Sequence, residues 1–107
     1  WVVGEVVKWH RHRGLVPRIA FYRDRAGLEV DLIVEAGAAT RAVEIKSGAT
    51  IAVDFFAALD AFDRLRPGSQ RLVVYGGRQR QQRAAGLALP WNEVHTVTWN
   101  APLTPAD

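Results

Sequence analysis

The 107-residue chain contains no cysteine and no methionine. Without cysteine there is no disulfide framework, no thiol nucleophile and no zinc–thiolate site, although the absence does not fix a redox compartment. Without methionine, and with Trp1 opening in the middle of an apolar pattern, the chain reads as a piece cut from a longer polypeptide. Serine occurs only at Ser47 and Ser69, neither in a nucleophile context, and no phosphate-binding glycine loop is visible. No apolar run approaches the ~20 residues that span a bilayer, and no signal-peptide pattern opens the chain, so no membrane partner is expected. Lysine is scarce too. Only Lys8 and Lys46 occur against an arginine-rich background, which makes a lysine at 46 informative.

The remaining composition is that of an ordinary globular domain, with 49% hydrophobic and 23% charged residues. The length allows one domain over residues 1–107, with a loose tail over 100–107 marked by Pro102 and Pro105. The net charge of +3 is modest, but it is clustered. Lys8, Arg11, Arg13, Arg18, Arg23 and Arg25 form one basic segment with His10 and His12, and Arg64, Arg66, Arg71, Arg78, Arg80 and Arg83 form a second. Two basic segments flanking an acidic centre suit a phosphate backbone, and they equally suit a solvated arginine-rich surface. The histidines read as exposed bystanders in the first segment.

Residues 1–13, WVVGEVVKWHRHR, place Val2, Val3, Val6, Val7 and His10 on one helical face and Glu5, Lys8, Trp9 and His12 on another. Gly14 and Pro17 then mark the stop. IAFYRD at 19–24 reads as a short strand and Ala26-Gly27 as a turn. LEVDLIVE at 28–35 alternates Val30, Leu32 and Val34 against Glu29, Asp31, Ile33 and Glu35. AGAA at 36–39 suits a tight turn, and TRAVEIK at 40–46 reads as a third strand of an antiparallel meander. Phe55, Phe56, Leu59, Phe62 and Leu65 follow helical spacing over about 52–65 and end at Pro67-Gly68. RLVVYGG at 71–77 reads as a buried strand. RQRQQRAAG reads as a loop or short helical turn, and LALPW with EVHTVTW as a last edge strand. The expected fold is mixed α/β in the order α-β-β-β-α-β, with the meander, a further strand or strands, and flanking helices. The four tryptophans, Trp1, Trp9, Trp91 and Trp99, suit either the core or an apolar contact surface.

The hairpin geometry raises the chemical question. If 36–39 is the loop, Glu35 pairs with Thr40, Asp31 falls opposite Glu44 and Glu29 opposite Lys46, all four on one face. Opposed residues have Cβ atoms ~4.5–5.5 Å apart. Two carboxylates at ~4 Å repel by roughly 4 kcal/mol at an effective dielectric of ~20. Lys46 can offset part of this, and a divalent cation more; oxygen donors at this spacing suit Mg²⁺ or Mn²⁺. A register shifted by one residue would instead turn the charges to solvent. A Glu29–Lys46 cross-strand ion pair worth under ~1 kcal/mol is the other simple reading.

The pair Glu29-Val30-Asp31 and Glu44-Ile45-Lys46 resembles the core of the PD-(D/E)XK nuclease superfamily, the restriction-endonuclease-like fold. With the FYRD lead-in, the aromatic-rich helix and RLVVYGG, the chain from Val2 to about Val97 closely resembles an uncharacterised C-terminal domain found behind AAA-type ATPase modules in bacteria and archaea. The resemblance implies a C-terminal fragment of a longer ATPase protein, a cytoplasmic location, and metal ligation by Asp31 and Glu44. It further implies a catalytic Lys46 that orients water or stabilises phosphorane charge, and Glu5 as an outer acidic residue on the first helix. Glu29 belongs to the EVD signature without a fixed role. Val30 stands where the superfamily name has proline.

The activity implied is Mg²⁺- or Mn²⁺-dependent hydrolysis of DNA phosphodiester bonds, with Arg11, Arg13, Arg23, Arg25, Arg78 and Arg80 holding the nucleic acid. The alternative is a catalytically silent nucleic-acid-binding or protein-docking module that regulates the attached ATPase. A fold does not guarantee its ancestral chemistry.

Overall fold

A computed structural model describes residues 1–51 and 53–101. The expected tail at 100–107 lies, from residue 102 onward, outside the described residues. The elements are α1 (Val2–Arg11), β1 (Ile19–Arg23), β2 (Glu29–Ala36), β3 (Ala39–Ile45), α2 (Ala57–Leu65), β4 (Gln70–Tyr75), β5 (Gln81–Arg83) and β6 (Gly86–Pro90). Short 3-10 turns occupy Val53–Phe56 and Trp91–Thr96. The strands form one six-stranded mixed sheet in the order β1-β2-β3-β4-β6-β5. The β1–β2, β2–β3 and β5–β6 pairs are antiparallel, whereas β3–β4 and β4–β6 are parallel.

The sheet is covered on both faces. Val2, Val6 and Trp9 of α1 pack with Leu32, Val34, Val43, Leu72, Val74 and Trp99 on one side. Leu59 and Phe62 of α2 pack with Ile33, Ala42, Val73 and Ala88 on the other. Strands buried on both faces read as continuous apolar runs, which is why β4 and β6 carry Leu72-Val73-Val74 and Leu87-Ala88-Leu89. Among the described residues no helix is long and apolar enough to cross a membrane.

The meander and its register agree with the sequence reading. Glu35 pairs with Thr40, although the loop is tighter than the four residues expected. Ala36 pairs with Ala39, and only Gly37 and Ala38 turn. Gly37 has φ 65°, the sign that the first position of a two-residue hairpin of the II′ kind requires.

Several expectations need correction. The segment after β4 is not a simple loop before an edge strand. β6 lies inside the sheet, parallel to β4, and the three-residue β5 is the edge. β5 is too short and polar to leave a periodic signal. EVHTVTW does not form a strand. It coils over the α1 face, with Val94, Val97 and Trp99 buried and the Trp99 indole N–H donating to the Val94 carbonyl at 3.0 Å. Trp9 faces the core rather than the polar side of α1, while Val3 is exposed. His10 is a buried residue whose Nδ1 sits 2.7 Å from the Val6 carbonyl, not an exposed one.

Strand β2 holds a further departure. Ala20 pairs with Ile33 but Tyr22 pairs with Val30, so β2 gains one residue across this stretch. The bulge puts Val30 in the α2-side core beside Ile33, whereas Leu32 and Val34 lie in the α1-side core. Regular alternation of Val30, Leu32 and Val34 therefore breaks at Asp31–Leu32.

Candidate functional site

The extra residue in β2 falls beside the acidic pair. Direct β2–β3 pairing runs from Ala36–Ala39 to Leu32–Val43. One step further, the same register brings Asp31 level with Glu44, and side chains replace the ladder. Glu44 Oε1 accepts the Asp31 backbone N–H at 3.2 Å. Asp31 Oδ2 accepts the Ile45 N–H at 2.8 Å. Each acid thus holds the other strand's backbone, which fixes both carboxylates at the point where the strands part.

The two acids have different surroundings. Asp31 is exposed, while Glu44 is only 5% exposed. Burial, and next the Asp31 charge, push the Glu44 carboxyl above its ordinary range, although the Asp31 N–H and Lys46 pull the other way. Lys46 Nζ lies 3.5 Å from Glu44 Oε2 and 5.8 Å from the Phe55 ring centroid. The lysine backbone N–H donates to Val74 O at 2.8 Å, so its strand is tied to β4 just beyond the last paired residues. Beyond it, the Gly76 N–H donates to Gly48 O at 2.9 Å. A Cβ on Gly76 would collide with the Ser47 carbonyl oxygen, so glycine is needed for this close approach.

Asp31, Glu44 and Lys46 are therefore brought together, but Glu29 is not. Glu29 pairs with Arg23 across β1, with Nε to Oε1 at 2.9 Å. The bulge alters its register relative to Asp31, so the Glu29–Lys46 ion pair does not form. Glu5 lies on α1, one helical turn from Trp1, whose ring packs against Trp91. It holds Lys8 at 2.8 Å and lines a groove with Lys8, Trp9, His12, Arg13 and His95, walls that include neither Asp31 nor Glu44.

The arginines divide by position. Arg23 and Arg25 lie at or beside the β1–β2 turn, and Arg78 follows β4, so all three belong to the same end of the sheet as the acid pair. Arg80 donates to Thr96 Oγ1 at 3.0 Å. Arg13 lies 4.0 Å over the Trp9 ring and donates to the Trp9 carbonyl. Arg11 closes the ten-residue α1 and Arg13 lies just beyond it, ~15 Å from the helix start.

The pair's donors are hard oxygens, and Mg²⁺ is commonly held by one or two carboxylates while keeping several waters. Asp31 Oδ1 and Glu44 Oε2 are not engaged by the two backbone bonds described. A buried acid raised by a neighbouring acid is a setting that a divalent cation would relieve, so the donors fit Mg²⁺ or Mn²⁺. No group of three or more histidine, aspartate or glutamate side chains suited to a metal forms among the described residues.

Sequence reasoning offered Trp91 only as core or contact surface and passed over Gly76, and both border Lys46. A glycine pair directly after an apolar strand was the available signal for the second. Over residues 1–94 the sequence matches a family described as a domain of unknown function, DUF4143. The chain belongs to the DUF4143 family. Neither curated proteins nor solved structures give a match. Within this DUF4143 domain, the matched span contains the whole sheet, the acid pair, Lys46 and Trp91.

Proposed function

We propose that this DUF4143 domain is a metal-dependent nuclease-like module that hydrolyses DNA phosphodiester bonds and works beside an AAA-type ATPase module in the same polypeptide. The observation that carries the reading is the joining of Asp31, Glu44 and Lys46 at the point where β2 and β3 part. The hairpin with β4 parallel to β3 supports a restriction-endonuclease-like fold.

Asp31 and Glu44 would hold Mg²⁺ or Mn²⁺. The bound ion would supply Lewis acidity and a water of lowered pKa. Lys46 supplies a fixed positive charge beside the pair, where it can stabilise charge developing on a phosphate. Arg23, Arg25 and Arg78 offer cations to the flanking backbone, which makes binding salt-sensitive. Glu5, one helical turn from Trp1 on α1, would serve as the outer acidic residue of this reading.

A catalytically silent nucleic-acid-binding or docking module is the second reading. It is favoured by the lack of a three-residue acid or histidine group among the described residues. Calorimetric titration of Mn²⁺ and Mg²⁺ into wild type, Asp31→Ala and Asp31→Asn, beside a cleavage assay on linear and branched DNA, separates them. Metal binding and cleavage that both depend on Asp31 are expected. No metal binding at millimolar concentration would leave the silent module.

A further inference from the structure

A cavity of about 520 Å³ opens among Ile45, Lys46, Ser47, Gly76 and Trp91. It lies at the carboxyl ends of β3, β4 and β6, which run parallel. The crevice beyond the carboxyl ends of parallel strands is where open α/β sheets place ligands. Its walls contrast. Lys46 brings a cation that also pairs with Glu44 at 3.5 Å, so one wall of the cavity is shared with the acid pair's lysine. Trp91 brings an indole that is 49% exposed, and Trp1 packs against it at 5.1 Å with the ring planes 84° apart. Trp1 is itself 69% exposed.

Gly76 keeps the floor low, and it also borders a second cavity of about 500 Å³ lined by Ala49, Gly77 and Arg78. Across this end of the sheet, in the order β3-β4-β6, come a cation, a flat glycine step followed by a second cation, and an aromatic face. That sequence of surfaces suits a flat ring attached to an anionic chain. Aromatic side chains beside a basic groove are how proteins grip unpaired bases without reading their sequence. A base within a blunt duplex is stacked on its neighbours and cannot present its face to Trp91.

We infer that Trp91 is a stacking platform for an unpaired nucleotide, so that the nucleic acid engaged beside Asp31 and Glu44 is single-stranded or splayed rather than blunt duplex. The inference rests on the nuclease reading for its choice of ligand, and it is tested apart from cleavage. Anisotropy in EDTA would compare a dye-labelled oligothymidylate, a splayed duplex and a blunt duplex on wild type, Trp91→Ala and Trp91→Phe. The wild type is expected to prefer the first two. Trp91→Ala should lose about tenfold or more on them and little on the blunt duplex, and Trp91→Phe should recover most of the loss.

Equal binding of oligothymidylate by Trp91→Ala and wild type would overturn the inference, as would a wild type with no preference for unpaired DNA. Either result would leave the Trp1–Trp91 patch to a protein segment. Mn²⁺ calorimetry on the same variants keeps the two readings separate. Absent metal binding with a persistent Trp91 effect sinks the nuclease and upholds the platform. Intact metal binding with no Trp91 effect does the reverse.

Discussion

Glu44 carries the sharpest residue-level consequence. Its carboxyl is raised chiefly by burial and then by Asp31. A carboxyl raised by folding favours the native state while protonated, and that contribution is lost as pH rises through its native value. In EDTA, the wild type should therefore lose melting temperature as pH rises above the usual carboxylate range. Glu44→Gln should flatten this limb, melt higher than wild type near neutral pH, and show no metal-induced gain. A thermal melt series against pH, with and without Mn²⁺, checks all three. For Asp31 the informative change is to asparagine, whose amide oxygen can still accept the Ile45 N–H. Asp31→Asn should melt within a few degrees of wild type and cleave at least ~100-fold more slowly, the scale on which charge-stabilising groups act. Asp31→Ala also removes the acceptor, so it should be the less stable of the two.

At the scale of elements, the loop after β3 is tied to the end of β4 by the close approach of Gly76 to Ser47. Gly76→Ala should force these segments apart and cost about 1–3 kcal/mol, as overpacking does. It should weaken metal binding without touching either acid, because Lys46 and Glu44 lie on the segment displaced. Denaturant melts and Mn²⁺ titration measure the two effects. The hairpin and its register were legible because Glu35–Thr40 pairing follows from strand period and a short loop alone. The bulge was not legible. Val30, Leu32 and Val34 are all apolar, so the sequence looks regularly alternating even though Val30 enters the opposite core. β5 and β6 were misread for a related reason. Gln81–Arg83 is a brief polar edge, and Leu87–Leu89 is apolar on both faces, so neither shows a two-residue period.

For the whole molecule, sheet and helices are joined by a different charge cluster. Arg71 of β4 binds Asp60 at 2.7 Å and Asp63 at 3.0 Å, both on α2. Its hydrogen bond holds the Asp63 carboxyl below the ordinary value. That contribution is present above the ordinary aspartate range and is lost as pH falls through the depressed value. Asp63→Asn should lower stability at neutral pH and shrink the loss seen on acidification, as followed by circular dichroism. The general α/β architecture was readable from the segment pattern, but the position of each strand in the sheet was not. Order depends on which apolar runs meet, and β4 and β6 offer similar runs. Lastly, the two-residue Gly37-Ala38 loop has a consequence in time. It joins the acids through a local antiparallel pairing, so the hairpin can close before the parallel strands find each other. Repulsion between Asp31 and Glu44 would then act on the folding barrier itself. If so, Glu44→Gln will speed refolding in stopped flow more than it slows unfolding; the opposite partition would date the hairpin to after the barrier.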